Sequence, residues 1–332
     1  MSIQYRLFHF RTEDSARLFA LYAATYGNSQ PLERRWRWQY LEHPRSPEVV
    51  ILVAEADGQL VGTLSHFPSD LVVGGVTHPG FFASDSMVHP EYRRRGIMET
   101  LLKTCSETLP LMYAKGTTDK MYSVRLRFGF RPVLPNGYLL SIVAPANWLL
   151  SKLHLGRSQG DPARIEETAT TEFRTVEQIG PEFDQFFDRV SAGFPAIVKR
   201  TSAYMTWRYL RHPYKKYHVK YRMVGSTLTS VIVLRAGGRA GHLVDFVWDH
   251  SAPDEPSTSI RFAKTCLRKA GFTNLYCWCT LGELRSALKR HWFYDLKETH
   301  RLTMFARPEI LDQVAAGGRI HLVDGDGDFE FL

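Results

Sequence analysis

The chain of 332 residues has a formal net charge of +8, a hydrophobic fraction of 44% and a charged fraction of 23%. These values are typical of a globular protein whose core needs neither disulfides nor a structural metal. They argue against a membrane-spanning chain, because no apolar run approaches the roughly 18 residues that cross a bilayer. The N-terminus lacks the basic-then-apolar order of a signal peptide, so we predict a cytoplasmic protein that favours anionic partners.

Short strands and amphipathic helices alternate in the first half of the chain. Asp57-Gly58 between two apolar segments predicts a hairpin. Residues 95–108 carry one apolar stripe at helical spacing. The predicted strands are 5–10, 49–56, 59–68, 71–79, 80–89, 111–114, 130–135 and 138–144, and the predicted helices are 13–26, 32–41, 95–108 and 119–128.

The second half repeats this order after a stretch without periodicity at 150–168. Residues 38–44, WQYLEHP, match residues 207–213, WRYLRHP, at five of seven positions and before the hairpin in both halves. We therefore predict an α/β protein made of a domain at 1–145, a linker at 146–170 and a duplicated domain at 171–332. The predicted strands of the second half are 219–224, 229–234, 240–248, 275–279 and 298–306, and its helices are 181–192, 202–210, 257–269 and 283–290.

Two of the four cysteines, Cys277 and Cys279, lie two residues apart in a predicted strand and so share one face. They could form a metal or redox pair, or they could be two small buried residues. No second ligand pair stands at zinc spacing, which favours the second interpretation.

The segment Val88 to Met98, VHPEYRRRGIM, connects a strand to a helix. At a helix start several backbone N–H groups lack an intrahelical partner, and the helix dipole adds positive charge there. Gly96 lets a ligand approach the backbone closely, and Arg93, Arg94 and Arg95 supply charge. This pattern predicts a site for a diphosphate.

The same segment resembles the acetyl-CoA diphosphate motif of the GNAT (general N-acetyltransferase) superfamily. Arg93 and Gly96 match that motif, whereas Met98 departs from its final small residue. The stretches 53–62, 38–44 and 127–130 also resemble this superfamily, so the resemblance covers most of residues 1–145. It implies two domains, each a mostly antiparallel mixed sheet flanked by helices.

The resemblance also implies how a thioester carrier would bind. Its pantetheine arm would lie between the strand that ends at Val88 and the strand 111–114. It would bond to the backbone of Met87 and Val88. The remaining residues that the resemblance implies for coenzyme contact are Arg93, Arg94, Arg95, Gly96, Ile97, Met98 and Ser123.

Two residues are candidates for acid–base chemistry by this resemblance. Asp85 would be the general base, although it could instead cap a turn or pair with an arginine. The family's usual acid is a tyrosine four residues before Gly129, where this chain has Arg125. Tyr122, one turn earlier, would be the acid instead, unless it only packs on its helix.

The second half has lost the features of the coenzyme site. Asp245 takes the place of Asp85, but residues 249–258, DHSAPDEPST, replace the arginine-glycine loop. Acidic residues repel a diphosphate and prolines lack donors. Trp292 stands where Gly129 stood. We predict that this half binds no coenzyme.

The resulting prediction is an N-acyltransferase that uses acetyl-CoA or another acyl-CoA, without a metal, on a small-molecule amine such as an amino sugar or amino acid. We expect a monomer or homodimer that does not bind nucleic acid. Two alternatives stay open. A Fem-type aminoacyl-tRNA-dependent transferase would suit the positive charge but lacks this loop. A non-catalytic acyl-CoA-binding regulatory protein is favoured by Met98 and Arg125.

Overall fold

The computed structural model describes residues 2–10, 12–27, 31–116, 118–135, 137–153, 160–252, 254–299, 301–314 and 318–327. Within these ranges no helix has the length and apolar character that crossing a bilayer requires. The strands are β1 (Gln4–Leu7), β2 (Val50–Ala56), β3 (Gln59–Pro68), β4 (Leu71–Val73), β5 (Val76–His78), β6 (Phe81–Val88), β7 (Leu111–Lys115), β8 (Arg131–Pro132), β9 (Gly137–Ile142), β10 (Phe173–Val176), β11 (Ala196–Val198), β12 (Tyr217–Val224), β13 (Thr227–Gly237), β14 (Ala240–Trp248), β15 (Asn274–Trp278), β16 (Tyr294–Thr299), β17 (Leu302–Ala306) and β18 (Ile320–His321).

The helices are α1 (Thr12–Tyr26), α2 (Pro31–Trp36), α3 (Ile97–Thr108), α4 (Asp119–Arg127), α5 (Pro145–Lys152), α6 (Ala163–Glu167), α7 (Pro181–Ser191), α8 (Ser202–Met205), α9 (Ser257–Lys269), α10 (Gly282–Arg290) and α11 (Pro308–Val314). Two of them, α2 and α8, continue into a turn of π-helix, Arg37–Leu41 and Thr206–Leu210. The chain divides into two compact units. Unit 1 comprises Met1–Leu71, His78–Pro132 and Arg301–Leu311, and unit 2 comprises Val72–Thr77, Val133–His300 and Asp312–Leu332.

Unit 1 contains a seven-stranded sheet in the order β1-β2-β3-β6-β7-β17-β8. Its pairs are antiparallel except for β6 with β7, which confirms the predicted mixed sheet. Helix α3 packs on β2 and β3, and Gly62 permits this approach because a Cβ there would stand 2.7 Å from Cγ2 of Ile97. The buried core at this contact comprises Leu52, Ala54, Ala56, Val61, Leu64, Tyr92, Ile97, Leu101, Leu102, Cys105, Leu109, Met112 and Phe130.

Unit 2 contains a sheet of the same kind, in the order β10-β12-β13-β14-β15-β9-β16. Its central β14 and β15 are again parallel, and their neighbours are antiparallel. The sheet therefore repeats the arrangement of unit 1, as the repeated sequence predicts. A smaller sheet has the order β18-β11-β4-β5.

The closing strands differ from the prediction. Strand β9, expected in the domain 1–145, pairs with β15 and β16 of unit 2, and β17, expected in 171–332, pairs with β7 of unit 1. Neither unit is therefore one continuous segment of chain. The sequence could not indicate these pairings, because alternating apolar residues show which face of a strand is buried but not which sheet the strand joins.

The predicted linker 146–170 contains regular secondary structure. It holds most of α5 and all of α6, while residues 154–159 lie outside the described part of the chain. The ammonium of Lys220 donates to the carbonyl oxygens of Glu166 and Thr168, at 3.2 and 2.8 Å. These bonds fasten the end of α6 to β12.

Candidate functional site

Strand β6 carries a β-bulge in the middle of unit 1. Its register against β3 shifts, so that one residue of β3 faces two of β6, Asp85 and Ser86. Asp85 has a φ of +46°, which non-glycine residues rarely adopt. Bulges bend a strand and redirect its side chains, and they are frequent beside active sites.

Beyond this bulge β6 and β7 diverge. Both strands lie wholly within the described ranges, and their pairing is confined to Phe81 with Met112 and Phe82 with Tyr113. The remainder of β6 therefore leaves its β7-facing edge open. Met87 is buried and Val88 half-buried along this stretch. The binding of a pantetheine arm along this edge stays a prediction.

The loop after β6 leads directly into α3. Arg94 and Gly96 adopt left-handed conformations, with φ of +64° and +74°. Gly96 is the N-cap, and the N–H of Thr100 donates to its carbonyl oxygen at 3.0 Å. The N–H groups before Thr100 in this first turn precede the intrahelical bonds. N–H groups of this kind bind anions at helix starts. The diphosphate site at this helix start stays a prediction.

Three exposed arginines surround this helix start. Arg93 Nε donates to the carbonyl oxygen of Val88 at 3.4 Å, which ties the loop to the end of β6. The guanidinium of Arg95 lies 4.9 Å from the ring centre of Tyr92. Ile97 is buried beneath the loop and Met98 is half-buried. The loop thus combines a fixed apolar base with a solvent-facing cationic surface.

The carboxylate of Asp85 is held by two side chains. Arg35 Nη2 lies 2.6 Å from its Oδ1, and the Tyr40 hydroxyl donates to its Oδ2 at 2.8 Å. The Arg35 and Asp85 side chains are each 7% exposed. Burial, and then the charge of Asp85, raise the pKa of Tyr40 well above its usual value, so this phenol stays a donor.

The same arrangement recurs in unit 2. Asp245 accepts bonds from Arg200 Nε at 2.8 Å and from the Tyr209 hydroxyl at 2.7 Å, next to a register shift in β14. This recurrence, in a unit without the arginine-glycine loop, favours the ion-pairing role that the sequence left open for Asp85. Its role as general base stays a prediction.

The repeated heptapeptide has one structure in both units. Its tyrosine, Tyr40 or Tyr209, lies in a π-helical turn and donates to the aspartate at or next to the register shift, Asp85 or Asp245. Its histidine caps the following turn: His43 Nδ1 accepts the N–H of Arg45 at 3.0 Å, and His212 Nδ1 accepts that of Lys215 at 3.1 Å. The shared sequence is thus explained by a shared anchor for the central strand.

Buried histidines make the fold sensitive to acid. Burial lowers the pKa of His43 from 6.5 to about 4 and that of His66 from 6.5 to about 3. The unfolded chain therefore binds more protons than the folded chain between those values. Stability that is present above pH 6.5 should fall by about 1.4 kcal/mol per pH unit for each such group as the pH drops toward 4. Urea midpoints at pH 7, 6 and 5 measure this, and equal midpoints would contradict it.

Tyr122 and Ser123 lie on α4. The guanidinium of Arg301 stands 4.8 Å from the ring centre of Tyr122 and pairs with Asp119 at 2.6 Å. The exposed hydroxyl of Ser123 donates to the carbonyl oxygen of Asp119 at 2.9 Å. The acid role of Tyr122 and the coenzyme contact of Ser123 stay predictions.

The sequence indicates Arg125 only through the absence of the family's tyrosine, whereas the structure shows that it is buried beside the bulge. It is 1% exposed, and its Nη2 lies 3.5 Å from Oγ of Ser86 in the bulge. The signal available in the sequence was an arginine at a core-facing position of a short helix.

In unit 2 a segment of the chain itself takes up the corresponding opening. Pairing of β14 with β15 ends at Leu243 and Cys277, and the turn Asp324–Asp326 contacts β14 beyond that point. Arg200 Nη2 binds Asp326 at 2.9 Å. At the start of α9, the side chain of Glu255 is paired with Arg222 at 2.5 Å. These contacts support the prediction that unit 2 binds no coenzyme.

Cys277 and Cys279 are both buried. Their mutual hydrogen bond, together with burial, raises the pKa of the Cys277 thiol. Throughout the described ranges, no group of three or more His, Cys, Asp or Glu side chains is placed to hold a metal ion. The contacts favour two small buried residues.

The comparison with known families bears on unit 1. Residues 7–115 match the family model of the acetyltransferase (GNAT) domain. This stretch of the chain is therefore similar to a GNAT domain. The matched segment contains the bulge, the opening and the arginine-glycine loop.

Solved structures match over nearly the whole chain. A probable N-acyltransferase from Enterococcus faecalis has a TM-score of 0.64 and 13% identity, over 92% of this chain and 72% of its own. A GCN5-related N-acetyltransferase from Kribbella flavida has a TM-score of 0.62 and 14% identity, over 91% and 71%. Saccharomyces cerevisiae N-myristoyltransferase with bound myristoyl-CoA has a TM-score of 0.58 and 14% identity, over 92% and 79%. At these identities the likeness shows a shared fold. No curated protein matches the sequence.

Proposed function

We propose that this protein is an acyl-CoA-dependent N-acyltransferase that moves an acyl group, most simply acetyl, from coenzyme A to the amine of a small molecule. One observation carries the proposal. The open edge of β6 leads straight into a loop whose backbone N–H groups and arginines would together bind an anion. A carrier with a thioester, an extended arm and a diphosphate would fit this order of open strand edge followed by cationic loop.

Each part of the carrier has a candidate partner in unit 1. The backbone of Met87 and Val88 would bond to the pantetheine arm. The first-turn amides at Gly96, Ile97 and Met98 would bind the diphosphate, with neutralising charge from the arginines. Ser123 on α4 would contact the carrier as well. Electrostatic stabilisation of an acyl-transfer transition state needs no metal.

Transfer begins when a deprotonated amine attacks the thioester carbonyl carbon. A general base assists by accepting the amine's proton, and an acid assists the leaving sulfur. Asp85 and Tyr122 are the proposed groups for these steps. The contacts of Asp85 with Arg35 and Tyr40 favour an anchoring role, and the turnover of Asp85→Asn separates anchor from base.

The acceptor class is a small-molecule amine such as an amino sugar or amino acid, and the protein would act in the cytoplasm as a monomer or homodimer. A second candidate function is acyl-CoA binding without turnover. The arginine at position 125, where the family has its usual acid, favours it. The Fem-type alternative requires aminoacyl-tRNA rather than coenzyme A. A measurement of coenzyme A binding therefore distinguishes it from the acyltransferase and from the non-catalytic binding protein.

Coenzyme A should stabilise the protein against heat. A ligand at one hundred times its Kd stabilises the folded state by about 2.7 kcal/mol, which raises the Tm measurably. Thermal unfolding with coenzyme A, with adenosine and with bulk tRNA measures this effect. A Tm that rises with tRNA alone would favour the Fem-type alternative.

Release of free thiol from acetyl-CoA in the presence of a panel of amines then separates enzyme from binding protein. We expect amine-dependent thiol release for at least one member of the panel. Coenzyme-dependent stabilisation without thiol release for any acyl chain or amine would favour the regulatory alternative.

A further inference from the structure

A buried cation lies beside the bulge of unit 1. Arg125 is 1% exposed and donates from Nη2 to Oγ of Ser86, the second residue of the bulge, at 3.5 Å. The guanidinium carbon lies 5.8 Å from the ring centre of Phe130. Burying a guanidinium is costly, and an aliphatic residue would fill a core position without that cost. Packing alone therefore does not explain the choice of an arginine at this position.

The corresponding position of unit 2 shows that the fold does not require this charge. Helix α10 is followed by Trp292 in a left-handed conformation, as α4 is followed by Gly129. Four residues before these points stand Leu288 and Arg125, and both are buried. Leu288 thus occupies this position in unit 2, where a turn of the same unit takes up the opening. The guanidinium occurs beside the opening that the carrier would enter.

The charge of Arg125 acts on its surroundings. Burial lowers the pKa of His66, on β3, to about 3, and the charge of Arg125 adds to this effect. A guanidinium stays protonated at every pH at which the protein is folded. It cannot serve as a proton donor, but its field stabilises any anion that forms nearby in this poorly solvated region.

We propose that Arg125 stabilises the thiolate of coenzyme A as it leaves, so that sulfur can depart without a proton from Tyr122. This inference rests on the proposed function. The amine nitrogen bonds to the thioester carbon, and its proton passes to the general base or to water while the carbonyl oxygen becomes an oxyanion. When the carbonyl re-forms, the C–S bond breaks and its electron pair stays on sulfur. Arg125 holds that negative charge and keeps its own protons.

The ultraviolet absorbance of the thiolate tests the proposal without turnover. Difference spectra of the protein saturated with coenzyme A, against the protein saturated with desulfo-coenzyme A, are recorded as a function of pH. A cation within about 4–6 Å lowers the pKa of an acidic group by about 1–3 units. We expect the bound thiol to titrate that far below the thiol of free coenzyme A. The protein's own thiols cancel in the difference, and burial raises the pKa of Cys105 to about 12.

Variants assign the effect to one residue. Arg125→Met should return the bound thiol to its free pKa and lower kcat by about 10²–10³-fold with little change in KM for the acyl-CoA. Arg125→Lys should retain most of the shift. Arg208→Met is the matched control, because Arg208 is a buried arginine of unit 2 that donates to the carbonyl oxygen of Gly325 at 2.8 Å. It should leave the thiol titration unchanged.

Two results would overturn the proposal. One is a thiol that titrates in the unaltered complex as it does in free coenzyme A. The other is Arg125→Met with a retained shift, while calorimetry shows the coenzyme bound. The titration of the unaltered complex against free coenzyme A tests the proposal even if Arg125→Met does not fold. Failure of the unaltered protein to bind coenzyme A would instead contradict the proposed function and remove the basis of this inference.

Discussion

Replacing Gly96 with glutamate is expected to abolish coenzyme A binding while the protein stays folded. A carboxylate at this N-cap would meet the diphosphate, and like charges in contact cost several kcal/mol, which is about a hundredfold or more in Kd. On the protein side there is room, because a Cβ at Gly96 would have no neighbour within 4 Å. Calorimetric titration with coenzyme A measures the loss.

Two controls separate charge from backbone strain. Gly96 has a φ of +74°, so any side chain there costs about 1–2 kcal/mol of stability. Gly96→Ala carries this strain without the charge and should weaken coenzyme binding much less. Gly225→Glu, at a φ of +60° in the β12–β13 turn and also with open space around its Cβ, carries both strain and charge away from the loop. Unchanged coenzyme affinity in Gly96→Glu would exclude the loop as the diphosphate site.

Asp85→Asn is expected to destabilise the protein by about 3–5 kcal/mol, because it leaves the buried guanidinium of Arg35 facing a neutral amide. Asp245→Asn should cost less, since Arg200 retains Asp326 at 2.9 Å. Urea unfolding of the two variants measures the difference. An effect of Asp85→Asn below that of Asp245→Asn would contradict the anchoring role.

The same variant decides whether Asp85 is also the general base. Removing a general base lowers turnover by about 10²–10⁴-fold and abolishes the acidic limb of the pH profile. With Asp85 as an anchor alone, turnover per folded molecule should fall far less and the acidic limb should persist. Turnover is measured without urea, at a temperature at which circular dichroism shows that the variant is fully folded.

The sequence was sufficient for features that local chemistry determines. Asp57-Gly58 marks the β2–β3 hairpin, and the apolar stripe of residues 97–105 marks α3 with its buried face. The repeated heptapeptide predicted a duplicated unit, and both copies form the same π-helical anchor. The arginine-glycine loop was placed correctly between β6 and α3 because helix-start chemistry is local.

Features that depend on distant contacts could not be predicted. Strands β9 and β17 each pair in the sheet of the other half of the chain, and no sequence pattern marks which sheet a strand joins. The short strands β10 and β11 have too few residues to show an alternating pattern. The bulge places Asp85 in the left-handed backbone conformation, and no glycine or turn sequence beside Asp85 indicates this. Arg125 was visible only as a departure from a family pattern, since its burial depends on how α4 packs.

The central claim is that the backbone amides and arginines between Arg93 and Met98 bind the diphosphate of coenzyme A. A crystal structure of the protein soaked with millimolar coenzyme A tests it most directly. We predict diphosphate oxygens within hydrogen-bonding distance of the amides of Gly96, Ile97 and Met98, with the pantetheine arm along the open edge of β6. A bound carrier elsewhere in the molecule, or none at all at that concentration, would contradict the account.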